Sequence, residues 1–250
     1  MGKNKIAEQV YALEELMEPR SAPPVIGGVL GVVKSGKEAT VYLCEGPGGD
    51  GLLAAKVYRS TDTRRFADDS MYREGRLRRK DRYARAIEQK SRAGREFAFS
   101  AWVSAEYDTL GTLYAGGCDV PRPVHSSGGI IVMEYVGEED APAPPLSNVR
   151  LEPAEARRLF ERLMRNVELM LACDRVHGDL SPYNVLYAGP GAIRIIDFPQ
   201  AVDARFNSNA LTLLERDVGN ICAYFTRYGA DADASRLARS LWSRYLRSEL

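Results

Sequence analysis

Three apolar, β-branched runs at residues 25–33, 39–44 and 52–58 follow one another with no helical period between them. The last two are joined by Gly46-Pro-Gly-Gly-Asp-Gly51, a hairpin turn by composition. Strands this close in sequence pair antiparallel, because a parallel crossover needs a dozen or more intervening residues. The chain therefore opens on a meander and not on a βαβ unit.

The rest of the chain is mainly helical. A first helix is expected at residues 6–18, before the sheet, stopped by Ser21-Ala-Pro-Pro24. Others are expected at 95–115, ended by Gly116-Gly117, at 152–174, with Leu159, Leu163 and Val167 along one face, and at 208–228 and 232–247. Residues 130–136 read as a strand, and 185–187 with 193–196 as a short strand pair after a loop at 177–184. Ala141-Pro-Ala-Pro-Pro145 breaks the chain between two lobes. Sheet first and helices second is an α+β plan. It divides into a helical extension at 1–24, an N-terminal lobe at 25–137 and a helical C-terminal lobe at 138–250.

Lys plus Arg and Asp plus Glu both number 34 among the 250 residues, so bulk charge selects no partner. Its distribution is uneven. Residues 59–95 hold thirteen basic and six acidic side chains, a basic patch on a mildly acidic body. Most of that patch, about 60–94, is weakly periodic and reads as a flexible or partly helical insertion. Cys44, Cys118, Cys173 and Cys222 lie far apart with no CxxC pair, which suits buried thiols in a reducing compartment. No apolar run approaches the roughly 20 residues that cross a bilayer, and the N-terminus has no apolar signal core. A cytoplasmic protein without a membrane partner is expected.

The chemistry is concentrated in His177-Gly-Asp-Leu-Ser-Pro-Tyr-Asn184 and Ile195-Ile-Asp197-Phe198. Phosphoryl transfer from ATP needs a carboxylate to take the proton of the attacking hydroxyl and oxygen ligands to hold Mg²⁺ on the phosphates. Asp179 and Asn184 have the five-residue spacing of a kinase base and its Asn metal ligand, and Asp197 follows on the next strand as the metal carboxylate. A lone aspartate more often caps a turn; the ordered set in a strand–loop–strand context selects the phosphoryl-transfer reading. His177 is expected to be a structural loop residue, and His125 is given no role.

A second signal is Lys34-Ser-Gly-Lys-Glu-Ala-Thr-Val-Tyr42 followed by Leu53-Ala-Ala-Lys56. Gly36 lets backbone approach a triphosphate, and Lys56 on the third strand would neutralise its α- and β-phosphates. Gly31-Val-Val-Lys-Ser-Gly-Lys37 nearly spells a Walker A loop, but Glu38 stands where a Mg²⁺-binding hydroxyl is required and a strand follows where a helix is needed. Lys56 needs an orienting acid: Glu106 is the expected one and Glu96 the alternative, a solvated helix glutamate being the competing description of either. Met133-Glu-Tyr-Val136 fits a hinge between lobes whose backbone at Glu134 and Val136 meets an adenine edge; it also fits an ordinary strand end.

Together these segments resemble the RIO family of atypical serine protein kinases, from about Val25 to Tyr228. The resemblance rests on Ser35-Gly-Lys-Glu-Ala-x-Val-Tyr42, Ala141-Pro-Ala-Pro144, His177-Gly-Asp-Leu-Ser-x-Tyr-Asn184, Asp197-Phe-Pro-Gln200 and Ala210-Leu-x-x-Leu-x-Arg-Asp-Val-x-Asn220. It implies a trimmed two-lobed kinase fold, use of ATP with Mg²⁺ or Mn²⁺, and phosphate transfer to serine, its own included, or to water. It also implies a flexible loop before the Glu-bearing helix, in the place of the basic insertion. Ser35, Gly36, Lys37, Val41, Ala54, Lys56, Glu106, Met133, Glu134, Val136 and Leu186 are the implied nucleotide contacts. Asp179 is the implied base, aided by Lys56, with Asn184 and Asp197 on the metal. The 25 or so residues before the sheet are too few for the N-terminal winged helix that some members carry. Family relatives act in maturation of the small ribosomal subunit, which makes the basic segment 59–95 a place for RNA.

The departures from ordinary protein kinases have physical content. Gly178 replaces the arginine that pairs with a phosphorylated activation loop, and Pro199, with φ fixed near −65°, replaces a mobile glycine. Only 53 residues follow Asp197, none spelling Ala-Pro-Glu, so little is expected to hold an extended peptide. Two other functions share the motifs. A small-molecule kinase of the aminoglycoside or choline type has the same Asp and Asn spacing but not Ser-Gly-Lys-Glu or Asp-Phe-Pro-Gln. A nucleotide-gated RNA-binding protein would use the basic segment.

Overall fold

The computed structural model describes residues 13–18, 23–59 and 92–250, with residues 92–97 described for their helical backbone only. The basic insertion between 60 and 91 and most of the helix expected at 6–18 lie outside the described residues; residues 13–17 of that helix are helical.

Five antiparallel strands form one sheet in the order β1 (Gly28–Ser35), β2 (Ala39–Glu45), β3 (Leu52–Tyr58), β5 (Ile130–Glu134), β4 (Pro123–Ser127). The alternation of β2 and β3 sends Tyr42, Cys44, Leu53, Ala55 and Val57 to one face. There they meet Leu13, Leu16 and Ile26. The opposite face carries Val41, Ala54 and Lys56 toward the second lobe. Helix α1 (Arg92–Ala115) packs Val103 beside Tyr58 and Ile131. The first strand begins later than the apolar run suggests, because Val25 and Ile26 bond back to Leu16 before the ladder starts.

After β5 the chain turns sharply. Gly137 has φ 150°, and a side chain there would meet the Ala141 carbonyl oxygen at 2.6 Å, so this bend requires glycine. Helix α2 (Pro153–Ala172), with proline at its first position, buries Ala156, Leu159, Leu163, Val167 and Met170 along one stripe. Helix α3 (Ala210–Thr226) packs against it, and α4 (Ala234–Leu246), capped by Asp233 on the Arg236 N–H (2.9 Å), packs on both. The short pairs β6 (Arg175–Val176) with β9 (Val202–Asp203), and β7 (Val185–Tyr187) with β8 (Ile193–Ile195), lie on this helical core. The two-lobed α+β plan is thus present. No helix among the described residues is long and apolar enough to cross a membrane.

Candidate active site

A cleft of about 510 Å³ lies between the sheet and the helical lobe, within the range of small-molecule sites. Val33, Val41, Ala54 and Ile131 come from the sheet, and Leu186 and Ile196 from the other lobe. Much of the wall is therefore apolar, and Lys34, Lys37, Lys56 and Asp197 add charged groups to the lining.

Lys56 is shared between lobes. Its Nζ donates to Glu106 Oε1 at 2.8 Å and to Asp197 Oδ1 at 2.7 Å. Burial alone would lower the pKa of this ammonium, but Glu106, Tyr58 and Asp197 outweigh it and hold it well above the ordinary lysine value. The Lys56 charge in turn holds Asp197 below the usual carboxylate range against the cost of its partial desolvation. Glu106 is buried, at 6% exposure. Of the two candidate acids, Glu106 is the one beside Lys56; Glu96 lies on α1 with its side chain outside the described residues.

The loop after β6 supplies the rest. Asn184 Nδ2 donates to the Asp179 carbonyl (2.9 Å) and carboxylate (3.3 Å), while the Asn184 carbonyl accepts the Ile196 N–H at 2.9 Å. That bond sets Asn184 beside Asp197, which adopts a left-handed φ of 74°, uncommon for a residue with a side chain and typical of functional turns. His177, 2% exposed, donates from Nε2 to the Ile196 carbonyl (3.2 Å) and accepts the Asp179 N–H on Nδ1 (3.3 Å). Burial pushes its pKa down, which keeps the ring neutral and a fixed bracket of the loop. Gly178 has φ 80°, so a side chain of any kind, arginine included, would be strained there.

Among the residues named from sequence, Gly36, Lys37, Val41, Ala54, Lys56, Glu106, Met133, Glu134, Val136, Leu186 and Asp197 line the cleft. Ser35, Asp179 and Asn184 are not part of that lining; the Ser35 hydroxyl accepts from Arg59 Nη2 at 2.9 Å. The Gly36 N–H closes the turn on the Ala39 carbonyl (2.9 Å), so position 36 offers the space of its missing side chain and not that amide. At the hinge, the Ala143 N–H donates to the Val136 carbonyl (2.9 Å), and the Glu134 carboxylate is tied to the Arg122 N–H (3.0 Å). Three residues of α3 join the site that sequence reasoning does not single out. Asp217 accepts the Gly178 and Leu180 N–H groups at 2.8 and 2.9 Å, Asn220 donates to the Leu180 carbonyl at 2.9 Å, and Arg216 donates to the Gly178 carbonyl. Their only sequence signal is the Arg-Asp-Val-x-Asn220 string itself. Lys34, the first residue of the Lys34-to-Tyr42 segment, and Tyr58 also line the cleft, and the sequence reading gives neither a role.

Oxygen ligands suit a hard divalent cation. Asp197 is held ionised, and the Asn184 amide nitrogen is engaged by Asp179, which leaves its oxygen as the donor atom. Among the described residues no group of three His, Cys, Asp or Glu side chains gathers as a closed metal cage. The pair therefore fits a metal that takes its remaining ligands from phosphate or water.

Residues 40–237 match the family model for the RIO domain. The chain is 36% identical to the RIO-type serine/threonine-protein kinase Rio1 of Haloferax volcanii, over 83% of this chain and 66% of that protein. It is 30% identical to the serine/threonine-protein kinase RIO1 of Homo sapiens, over 86% of this chain and 38% of that one. With Rio1 of Thermoplasma acidophilum the identity is 29%, over 76% of this chain and 92% of the relative. The chain thus spans well under half of the human relative.

Proposed function

The chain belongs to the RIO family, and from that premise we propose that it is an ATP- and divalent-metal-dependent phosphotransferase of the atypical serine/threonine protein kinase kind. The acceptor is a serine hydroxyl, its own included, or water. One observation carries the reading: Lys56, on the sheet, holds Glu106 and Asp197 together in the cleft, Asp197 following the loop that bears Asp179 and Asn184. In this reading the adenine lies between Val41 and Ala54 on one side and Leu186 on the other, with the hinge at Met133 to Val136 along its edge. Lys56 and Lys37 meet the phosphates. Asn184 and Asp197 would hold Mg²⁺ or Mn²⁺, which supplies charge neutralisation at the phosphates when bound. Asp179 accepts the proton of the attacking hydroxyl. The names of the relatives, serine/threonine-protein kinases, support this choice, and nothing in the cleft favours a small-molecule acceptor.

The basic segment 59–95 is the proposed contact for RNA or a ribosomal subunit; residues 60–91 of it lie outside the described residues. Free thiols at all four cysteines support the cytoplasm as the proposed location.

The test is purified protein with labelled ATP, following protein-bound and free phosphate together. Asp179→Asn should keep ATP binding and lose transfer by about 10²-fold or more. Asp197→Ala should lose the metal-dependent part of nucleotide binding. Wild-type activity in both variants refutes the assignment.

A further inference from the structure

Strand β3 alternates so that Lys56 and Tyr58, two residues apart, leave the sheet on the same side, while Val57 between them enters the opposite core. Tyr58 is 6% exposed, and its hydroxyl donates to Glu106 Oε2. The other oxygen, Oε1, receives Lys56 at 2.8 Å. One carboxylate is thus divided between two neighbours on one strand. The Lys56 ammonium also stands 5.0 Å from the centroid of the Tyr58 ring, within reach of its face.

Beyond Glu106 and Lys56, the tyrosine is itself held at two points, its ring and its backbone N–H. Trp102, one helical turn before Glu106 on α1, meets its ring edge-on with centroids 4.6 Å apart. Phe99 stacks on Trp102 in turn, at 6.4 Å. The Tyr58 N–H donates to the Gly129 carbonyl at 3.0 Å. Burial first, and then the neighbouring Glu106, hold the phenol well above its ordinary pKa against the pull of Lys56, so it remains a donor throughout the physiological range.

We infer that Tyr58 is a positioning residue for the phosphate-binding lysine: its hydroxyl fixes the rotamer of Glu106, and Glu106 then keeps Lys56 from swinging wholly to Asp197. Two anions compete for Lys56, at 2.8 and 2.7 Å. Asp197 is 44% exposed on its side chain, whereas Glu106 is buried. A carboxylate anchored at one oxygen presents the other in a fixed place. Without the anchor, Glu106 can turn, and the ammonium is left paired with Asp197 alone instead of being held where it can meet the phosphates.

This rests on the proposed function, and the experiment separates the two. Affinity for ATP and for adenosine is measured by calorimetry on folded wild type, Lys56→Met, Tyr58→Phe, Glu106→Gln and the Tyr58→Phe/Glu106→Gln double variant. Tyr58→Phe should weaken ATP about 10-fold, the scale of one lost hydrogen bond to a charged group, and leave adenosine unchanged. In the Glu106→Gln background the same change should cost nothing further, because the two residues act as a unit. A role confined to packing would shift thermal stability but not the ratio of ATP to adenosine affinity. If wild type binds ATP and Lys56→Met loses it while Tyr58→Phe does not, or if the two losses add in the double variant, the inference falls alone. If wild type binds no ATP, it falls together with the proposed function. Trp102→Leu is the second variant should Tyr58→Phe not fold: by freeing the ring it should give the same ATP-selective loss, and an unchanged ratio overturns the inference.

Discussion

Asp217 is the buried acid whose job is least visible from its own neighbourhood in sequence. Its two oxygens take the N–H groups on either side of Asp179, so the peptide units around the proposed base are pinned from a helix roughly 40 residues later. Burial pushes its carboxyl up to about 7, against the Gly178 and Leu180 amides and Arg216, with Asp179 adding to the rise. In the unfolded chain the same group titrates near its ordinary 3.8. Folding therefore favours the protonated form, and the stability it contributes is complete below about pH 4 and lost as pH rises toward 7. Above that it is level. Asp217→Asn abolishes the titration, so the stability of wild type minus that of the variant should fall between about pH 4 and 7, by up to about 1.4 kcal/mol for each pH unit. Denaturant titrations across that range read the slope directly. A flat or rising difference would mean that Asp217 is ionised in the fold throughout.

Lys34 owes its place to an element and not to its own chemistry. The register of β1 on β2 slips between Val32 and Lys34, so that two residues on β1 face the span of one on β2, and both Val33 and Lys34 reach the cleft. Its charge is felt by Asp197 across the opening. Lys34→Ala should weaken ATP by no more than about 5-fold, as suits an exposed ion contact. The loss should shrink as salt is raised, while AMP is barely affected; isothermal titration at two ionic strengths checks both. The bulge is not legible in the sequence, because a run of Val and Lys reads the same with or without a slip. Strand β4 escapes a sequence reading for a related reason. Pro123, His125, Ser126 and Ser127 have little strand propensity of their own, and β5 alone makes them one by pairing. His125, given no role, sits there opposite Val132. The long helices are legible because α2 and α3 each bury one stripe at helical spacing, a pattern that survives without tertiary help.

At the scale of the molecule, order along the chain carries most of the information: a meander, a helix with Glu106, a hinge, then helices enclosing the loop of Asp179. What it cannot carry is contact across the lobes, since Lys56 and Asp197 are 141 residues apart and nothing local to either names the other. The bridge is one of several links between the lobes, with Arg194 on Glu134 at 3.6 Å and Arg162 on Asp119 at 2.6 Å among the others, and a ligand that binds both lobes should stabilise the whole chain. At a hundredfold excess over its Kd, a nucleotide with metal should add about 2.7 kcal/mol, or roughly 5–10 °C in the unfolding midpoint for a chain of this size. Chelating the divalent ion should remove most of that rise, since Asn184 and Asp197 then face the phosphates without the cation between them. In Asp197→Ala, chelation should make no further difference, and in Lys56→Met the rise should be small with or without metal. Differential scanning fluorimetry with ATP, with and without Mg²⁺ and chelator, distinguishes these patterns. A wild-type rise that ignores the chelator would remove the metal from the cleft and leave the phosphates to the lysines alone.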